Sequence, residues 1–227
     1  MSAPAARQVA VGASGVTALE YAAAQPCHAH LILAHGAGTD QRHRVMAALA
    51  RGVAARGVGV TTFNFLYTEQ GRRSPDRAPV LVDTWRAVVG DVAAGLDRSV
   101  RLAIGGKSMG GRMASMLLAD PESGSAAARV SGLVLLGYPL HPPGKPDQLR
   151  TAHLPALRVP VLLVQGTRDP FGTRDEVEPI FRALPTRVDF EFVDGGDHGF
   201  AVPRSRGLSE ADVLESVCER VAGWLRG

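Results

Sequence analysis

The sequence predicts an α/β fold: a mostly parallel central sheet with helices on both faces and no separate lid domain. Short apolar runs alternate with helical stretches from end to end, the pattern of strands joined by crossover helices. Polar residues with chemical potential follow several of those runs, where ligands bind in open α/β sheets. The 227 residues suit one domain spanning 1–227, long enough to bury a full core without disulfides or metals.

The elements follow in order. Residues 7–21 read as a strand or hairpin that turns at Gly12-Ala13-Ser14-Gly15. Residues 29–34 form a buried strand that ends at His35-Gly36-Ala37-Gly38. A helix is expected from about Asp40 to Arg56, then a strand from Val58 to Phe63 and a long polar loop over 65–79. Val80 to Leu96 carries apolar residues at 81, 82, 85, 88, 89 and 92, which is helical spacing. A strand over 101–105 leads into a helix over about 110–119. Val130 to Leu136 is the next strand, followed by a proline-rich loop over 138–146. Strands over 159–164 and 188–193 flank a helix near 174–183, and a last helix covers about 209–225. The loops 65–79 and 138–158 are the longest segments available to cover a site.

Composition narrows the possible functions. Hydrophobic residues make up 45 %, and the net charge is +3. Only Lys107 and Lys145 of the 25 basic residues are lysines. The arginine and alanine excess reads as GC-rich coding, because no basic stripe interleaved with aromatics marks a nucleic-acid surface. No apolar stretch approaches the ~20 residues of a membrane helix. Met1 to Arg7 lacks the charged start and apolar run of a signal peptide, so a cytoplasmic, bacterial protein is expected. Cys27 and Cys218 form no C-x-x-C pair and are expected as two buried thiols in a reducing compartment. His28 and His30 lack a third partner, so no metal site is expected, and no cofactor is called for.

The chemistry concentrates in three places. Ser108 lies in Gly106-Lys107-Ser108-Met109-Gly110, a G-x-S-x-G directly behind a strand. A serine hydroxyl needs a base to remove its proton, and a sharp strand-to-helix turn to lift it clear of the backbone. Asp169 follows the strand 159–164, and His198 follows 188–193 in Gly195-Gly196-Asp197-His198-Gly199-Phe200. In these roles His198 takes the Ser108 proton and returns it to the leaving group, while Asp169 fixes the imidazole tautomer. An oxyanion formed by such an attack needs backbone donors. Met109 N–H at a helix start is one, and Ala37 in the glycine-rich loop is the other. His35 is expected to brace that loop. Leu66, Tyr67, Tyr138, Leu140, Phe171 and Phe200 lie near strand ends and are expected to wall an acyl pocket.

Taken together, the segments HGAG (35–38), FNFLYTEQGRRSPDR (63–77), GGKSMGGR (105–112), QGTRDPFG (165–172) and GGDHGF (195–200) resemble the α/β-hydrolases. The order Ser…Asp…His is theirs. Within them the chain is similar to the dienelactone-hydrolase-related group, with its nearest likeness to the KANL/Tex branch. The resemblance implies a serine hydrolase cleaving carboxylic esters or related acyl bonds, with a small-molecule ester as partner. Dienelactone hydrolases proper carry a cysteine where this chain has Ser108, which sets dienelactone itself apart as substrate. The KANL/Tex branch also includes scaffold-like proteins, so a non-catalytic interaction module is the competing reading, beside acyl transfer or peptide hydrolysis on the same triad.

Rivals exist for two of the three residues. Asp175, Asp194 and Asp197 compete with Asp169, and His141 and His153 compete with His198. The stretch Gly137-Tyr138-Pro139-Leu140 holds no carboxylate, which favours Asp169. Gly106-Lys107-Ser108 mimics the end of a phosphate loop, but position 101 is arginine rather than the required glycine, which excludes a nucleotide cradle. Arg72, Arg73 and Arg77 read as a solvated surface, or as an attractor of acidic substrates if their loop folds over the site. The oligomeric state is left open.

Overall fold

The computed structural model describes residues 3–24 and 28–227. Among these described residues eight strands occur in chain order: β1 (Ala5–Val11), β2 (Ser14–Tyr21), β3 (Ala29–Ala34), β4 (Gly59–Phe63), β5 (Arg101–Lys107), β6 (Val130–Leu136), β7 (Val161–Gly166) and β8 (Val188–Val193). The described residues also form seven α-helices: α1 (Arg44–Ala55), α2 (Leu66–Glu69), α3 (Ala78–Gly95), α4 (Met109–Ala119), α5 (Gly124–Ala128), α6 (Arg174–Arg182) and α7 (Glu210–Arg226). The strands form one sheet in the order β1-β2-β4-β3-β5-β6-β7-β8. Only the β1–β2 and β2–β4 pairings are antiparallel; the rest are parallel.

Side-chain alternation sorts the sheet into two cores. Ile32, Ile104 and Leu163 point to one face, where α3, α4 and α6 cover them with Trp85, Met113 and Phe181. Leu31, Ala103 and Leu162 point to the other, under α1 and α7 with Met46, Val53, Val217 and Trp224. The apolar positions of α3 are the buried ones: Leu81, Val82, Trp85, Val88, Val89 and Val92, joined by Thr84. On the second face Cys218 is buried in α7, and burial pushes its thiol up to about 11. A Cβ at Gly52 of α1 would sit 2.5 Å from the Cys218 sulfur, so glycine there lets α1 and α7 approach. Cys27 lies outside the described residues.

Several boundaries differ from the expected ones for local reasons. The helix expected from Asp40 starts at Arg44, because Asp40 Oδ1 accepts the Arg42 N–H at 2.7 Å and closes a turn first. The loop 65–79 contains the short helix α2, ended near Gly71 at φ +69°. The strand expected at 159–164 is displaced to 161–166, since Pro160 has no N–H to give a ladder. Helix α5 carries no apolar periodicity and was not foreseen.

Candidate active site

Ser108 sits between β5 and α4 with φ +51° and ψ −116°, a conformation that costs a non-glycine residue about 1–3 kcal/mol. The surrounding contacts over-determine it. Ser108 N–H donates to Leu136 O at 3.0 Å, and Ser108 O accepts from Arg112 N–H at 3.0 Å as the helix begins. Trp85 Nε1–H donates to Gly110 O at 3.1 Å. The glycines are a packing requirement: a Cβ on Gly106 would lie 2.6 Å from Gly110 C, and one on Gly110 would lie 2.5 Å from Ala34 O. The turn closes only because both lack side chains.

The three distant residues meet. Ser108 Oγ is 2.8 Å from His198 Nε2, and His198 Nδ1 is 2.7 Å from Asp169 Oδ2. Asp169 is fully buried, while His198 is 22 % exposed, so the imidazole bridges solvent and a dry carboxylate. Asp169 Oδ1 accepts from Phe171 N–H at 2.8 Å, and Oδ2 accepts from Gln165 Nε2–H at 2.9 Å. Gln165 was missed by sequence reasoning. Its Oε1 accepts the Tyr138 N–H at 2.7 Å and its Nε2 also donates to Gly172 O at 2.8 Å, so one amide ties the Asp169 loop to the end of β6. The polar residue inside an apolar strand, four before the aspartate, was the available signal.

The rivals are engaged elsewhere. Asp197 Oδ1 accepts from Gly199 N–H and Ala201 N–H, which shapes the loop that presents His198. Asp194 pairs with Arg206, and Asp175 lies in the first turn of α6. His141 contacts Glu176 at 3.2 Å, and His153 contacts Ser115 Oγ at 2.8 Å.

His35 is buried and neutral, its pKa lowered by burial. Phe65 N–H donates to its Nε2 at 3.3 Å, so Nδ1 bears the proton and donates to Gly36 O at 2.8 Å. The loop 35–38 is thereby held against the elbow, where a Cβ on Gly36 would stand 3.4 Å from Lys107 O. His30 bonds Thr61 Oγ1 at 2.8 Å.

Ser108 and His198 open onto a cavity of about 510 Å³ shared with Ala37 and Met109. Phe171 lines it and lies with its ring centroid 4.3 Å from that of His198. The other five expected pocket residues do not line it. Tyr67, Tyr138, Leu140 and Phe200 are buried in the cores, and Leu66 packs partly buried against the first of them. The wall comes instead from Val45 and Met46 of α1, Thr39 and His43 before it, and Pro139 and Arg150 of the loop after β6. Arg72, Arg73 and Arg77 are also absent from the lining, and Arg72 pairs with Asp76. A cavity of about 620 Å³ lies at the amino ends of β3 and β5, bordered by His28, Arg56 and Arg101. It is at the opposite strand ends from Ser108.

The sequence model of the alpha/beta hydrolase domain family matches residues 27–226. The chain belongs to this family. Solved structures resemble this hydrolase-family chain over nearly its whole length. An α/β serine hydrolase homologue from Coxiella burnetii is 17 % identical, with 99 % of each chain covered and a TM-score of 0.76. A dienelactone hydrolase from Anabaena variabilis is 18 % identical, covering 97 % of this chain and 95 % of its own, with a TM-score of 0.76. A lid-less α/β serine hydrolase from Xanthomonas campestris is 19 % identical, covering 100 % and 97 %, with a TM-score of 0.74. At these identities the likeness speaks for the fold alone. No described helix of this α/β-hydrolase chain is long and apolar enough to cross a membrane.

Proposed function

We propose that the protein is a single-domain serine hydrolase that cleaves carboxylic esters through an acyl-enzyme. The observation that carries this reading is the unbroken series Ser108 Oγ–His198 Nε2–Asp169 at 2.8 and 2.7 Å. In it His198 removes the Ser108 proton as the oxygen attacks the ester carbonyl. The tetrahedral oxyanion is held by the Ala37 and Met109 backbone N–H groups. His198 then passes the proton to the departing alcohol, and water repeats the sequence on the acyl-enzyme. Asp169 keeps the Nδ1–H tautomer and stabilises the imidazolium. Phe171 flanks the imidazole as part of the pocket wall. Within the family we assign the chain to the dienelactone-hydrolase-related group, nearest the KANL/Tex branch, on the segments quoted above.

A panel of nitrophenyl esters of increasing chain length, run beside Ser108→Ala, tests the proposal. Hydrolysis that falls by at least ~10³-fold in Ser108→Ala supports it. Equal rates in both proteins, or none in either, favour an interaction module that keeps only the fold.

A further inference from the structure

Lys107, Arg112 and Arg150 line the cavity beside Ser108, and no aspartate or glutamate does so among the described residues. Lys107 is matched. Its ammonium donates to His198 O, and Asp169 and Asp197 favour its charge against the burial that lowers it to about 8. The two arginines have no carboxylate partner among the described residues. Arg112 stands one turn into α4 from Ser108; its side chain hydrogen-bonds the neutral Tyr138 hydroxyl, and its Nε is buried with no hydrogen-bond partner. Among the described residues the guanidinium of Arg150 makes one bond, a long 3.5 Å contact to Pro139 O. Among the described residues neither guanidinium forms an ion pair with a carboxylate. Burial lowers the Arg150 pKa, and the Arg112 charge lowers it further, so the two cations feel one another.

Their neighbours bring no compensating charge. The Tyr138 hydroxyl donates to Arg150 O at 2.6 Å, and burial raises it far above the usual phenol range. Burial, and then the Arg112 charge, pushes His153 down to about 4, so its imidazole is neutral at pH 7. Two like charges on a half-dry wall are costly when left unpaired. Guanidinium forks are matched to a planar carboxylate. The rest of the wall near them, Met46, Met109, Pro139 and Phe171, suits an apolar body.

We propose that Arg112 and Arg150 form a carboxylate-binding subsite, so that the substrates are esters bearing a second, ionised carboxylate, such as monoesters of dicarboxylic acids. This rests on the reading of Ser108 as the nucleophile of an ester hydrolase. The charge preference lies in these two residues beside the elbow and not in the arginines of the loop 65–79.

The test compares kcat/KM for nitrophenyl butyrate and mono-nitrophenyl glutarate in the native protein, Arg112→Met, Arg150→Met and Arg112→Lys. The native protein favours the anionic ester at least tenfold. Each methionine variant lowers that ratio about ten- to hundredfold, chiefly through KM, as expected for a lost charge-assisted hydrogen bond. Arg112→Lys keeps part of it. A merely structural role moves both esters together and leaves the ratio fixed, which overturns the subsite. Turnover of the neutral ester with no charge preference also overturns it, while leaving the hydrolase reading intact. Calorimetry on Ser108→Ala with monomethyl glutarate and methyl butyrate gives a readout free of turnover. Binding of the acid alone, abolished by adding Arg112→Met, supports the subsite even if no ester is cleaved, an outcome that counts against the hydrolase reading instead.

Discussion

Asp169 and Gln165 show how much a single buried amide holds. Gln165 satisfies the carboxylate, a backbone N–H and a backbone carbonyl at once. Gln165→Leu removes one of the carboxylate's three partners and strips the Tyr138 N–H and Gly172 O of theirs in a dry site, so a stability loss of about 1–3 kcal/mol is expected in urea unfolding. Because the carboxylate then loses one of its anchors, kcat on the nitrophenyl esters of the proposed reaction is expected to fall on the order of tenfold or more, with KM little changed. Asp169→Asn keeps the shape but favours the wrong tautomer of His198, and is expected to lower kcat by about 10³–10⁴-fold. That Ser108, Asp169 and His198 come together could be expected from the sequence because each follows an apolar run and carries chemistry the run does not need. The pocket wall was not. Tyr67, Tyr138 and Phe200 sit past strand ends as pocket residues do, yet an aromatic there is equally stable folded inward, and only the three-dimensional path of the loops decides. Arg112 carried no signal for the same reason: its place at the cavity depends on the loop that brings Arg150 to the same wall.

At the scale of elements, the strand–elbow–helix unit is the most constrained part of the fold. Gly110 meets the backbone oxygens of Ala34 and His35 at 2.5 and 2.6 Å once a Cβ is added, and backbone in the sheet cannot retreat. Gly110→Ala is therefore expected to destabilise by at least 2 kcal/mol and to disturb the Ser108 conformation. Gly223 in α7 has nothing within 4 Å of its added Cβ, so Gly223→Ala is expected to be neutral or stabilising by up to about 1 kcal/mol. Urea unfolding of the two variants side by side checks both. Most elements were readable because burial follows period: α3 buries the six apolar positions its spacing marked, and β3, β6 and β8 keep their expected limits. The short helices α2 and α5 were not, since four or five residues hold too few turns for a periodic signal. Asp40 stole the first turn of α1 by bonding its own backbone.

Over the whole molecule, pH acts through histidines buried without charge. Burial lowers His30 and His153 to about 4, and lowers His35 as well, while the unfolded chain binds those protons near pH 6.5. Between these values the unfolded state holds more protons than the folded one, so stability rises with pH there and is lost on acidification from about 6.5 toward about 4. The expected loss is on the order of a few kcal/mol, read as a falling urea midpoint between pH 7 and pH 4.5, and His153→Asn should flatten the slope. His30 lies in the central strand β3, His35 just beyond its end and His153 beside α4, while Ser108, Asp169 and His198 stand past the carboxyl ends of β5, β7 and β8, so fold and site share one framework. Reaction of the folded protein with a fluorophosphonate, followed by mass mapping of the adduct, tests that the framework activates one hydroxyl. A single phosphonylated residue, Ser108, is expected, with no adduct in His198→Ala over the same time. A folded protein that stays unlabelled, or that takes the label at another residue, would contradict it.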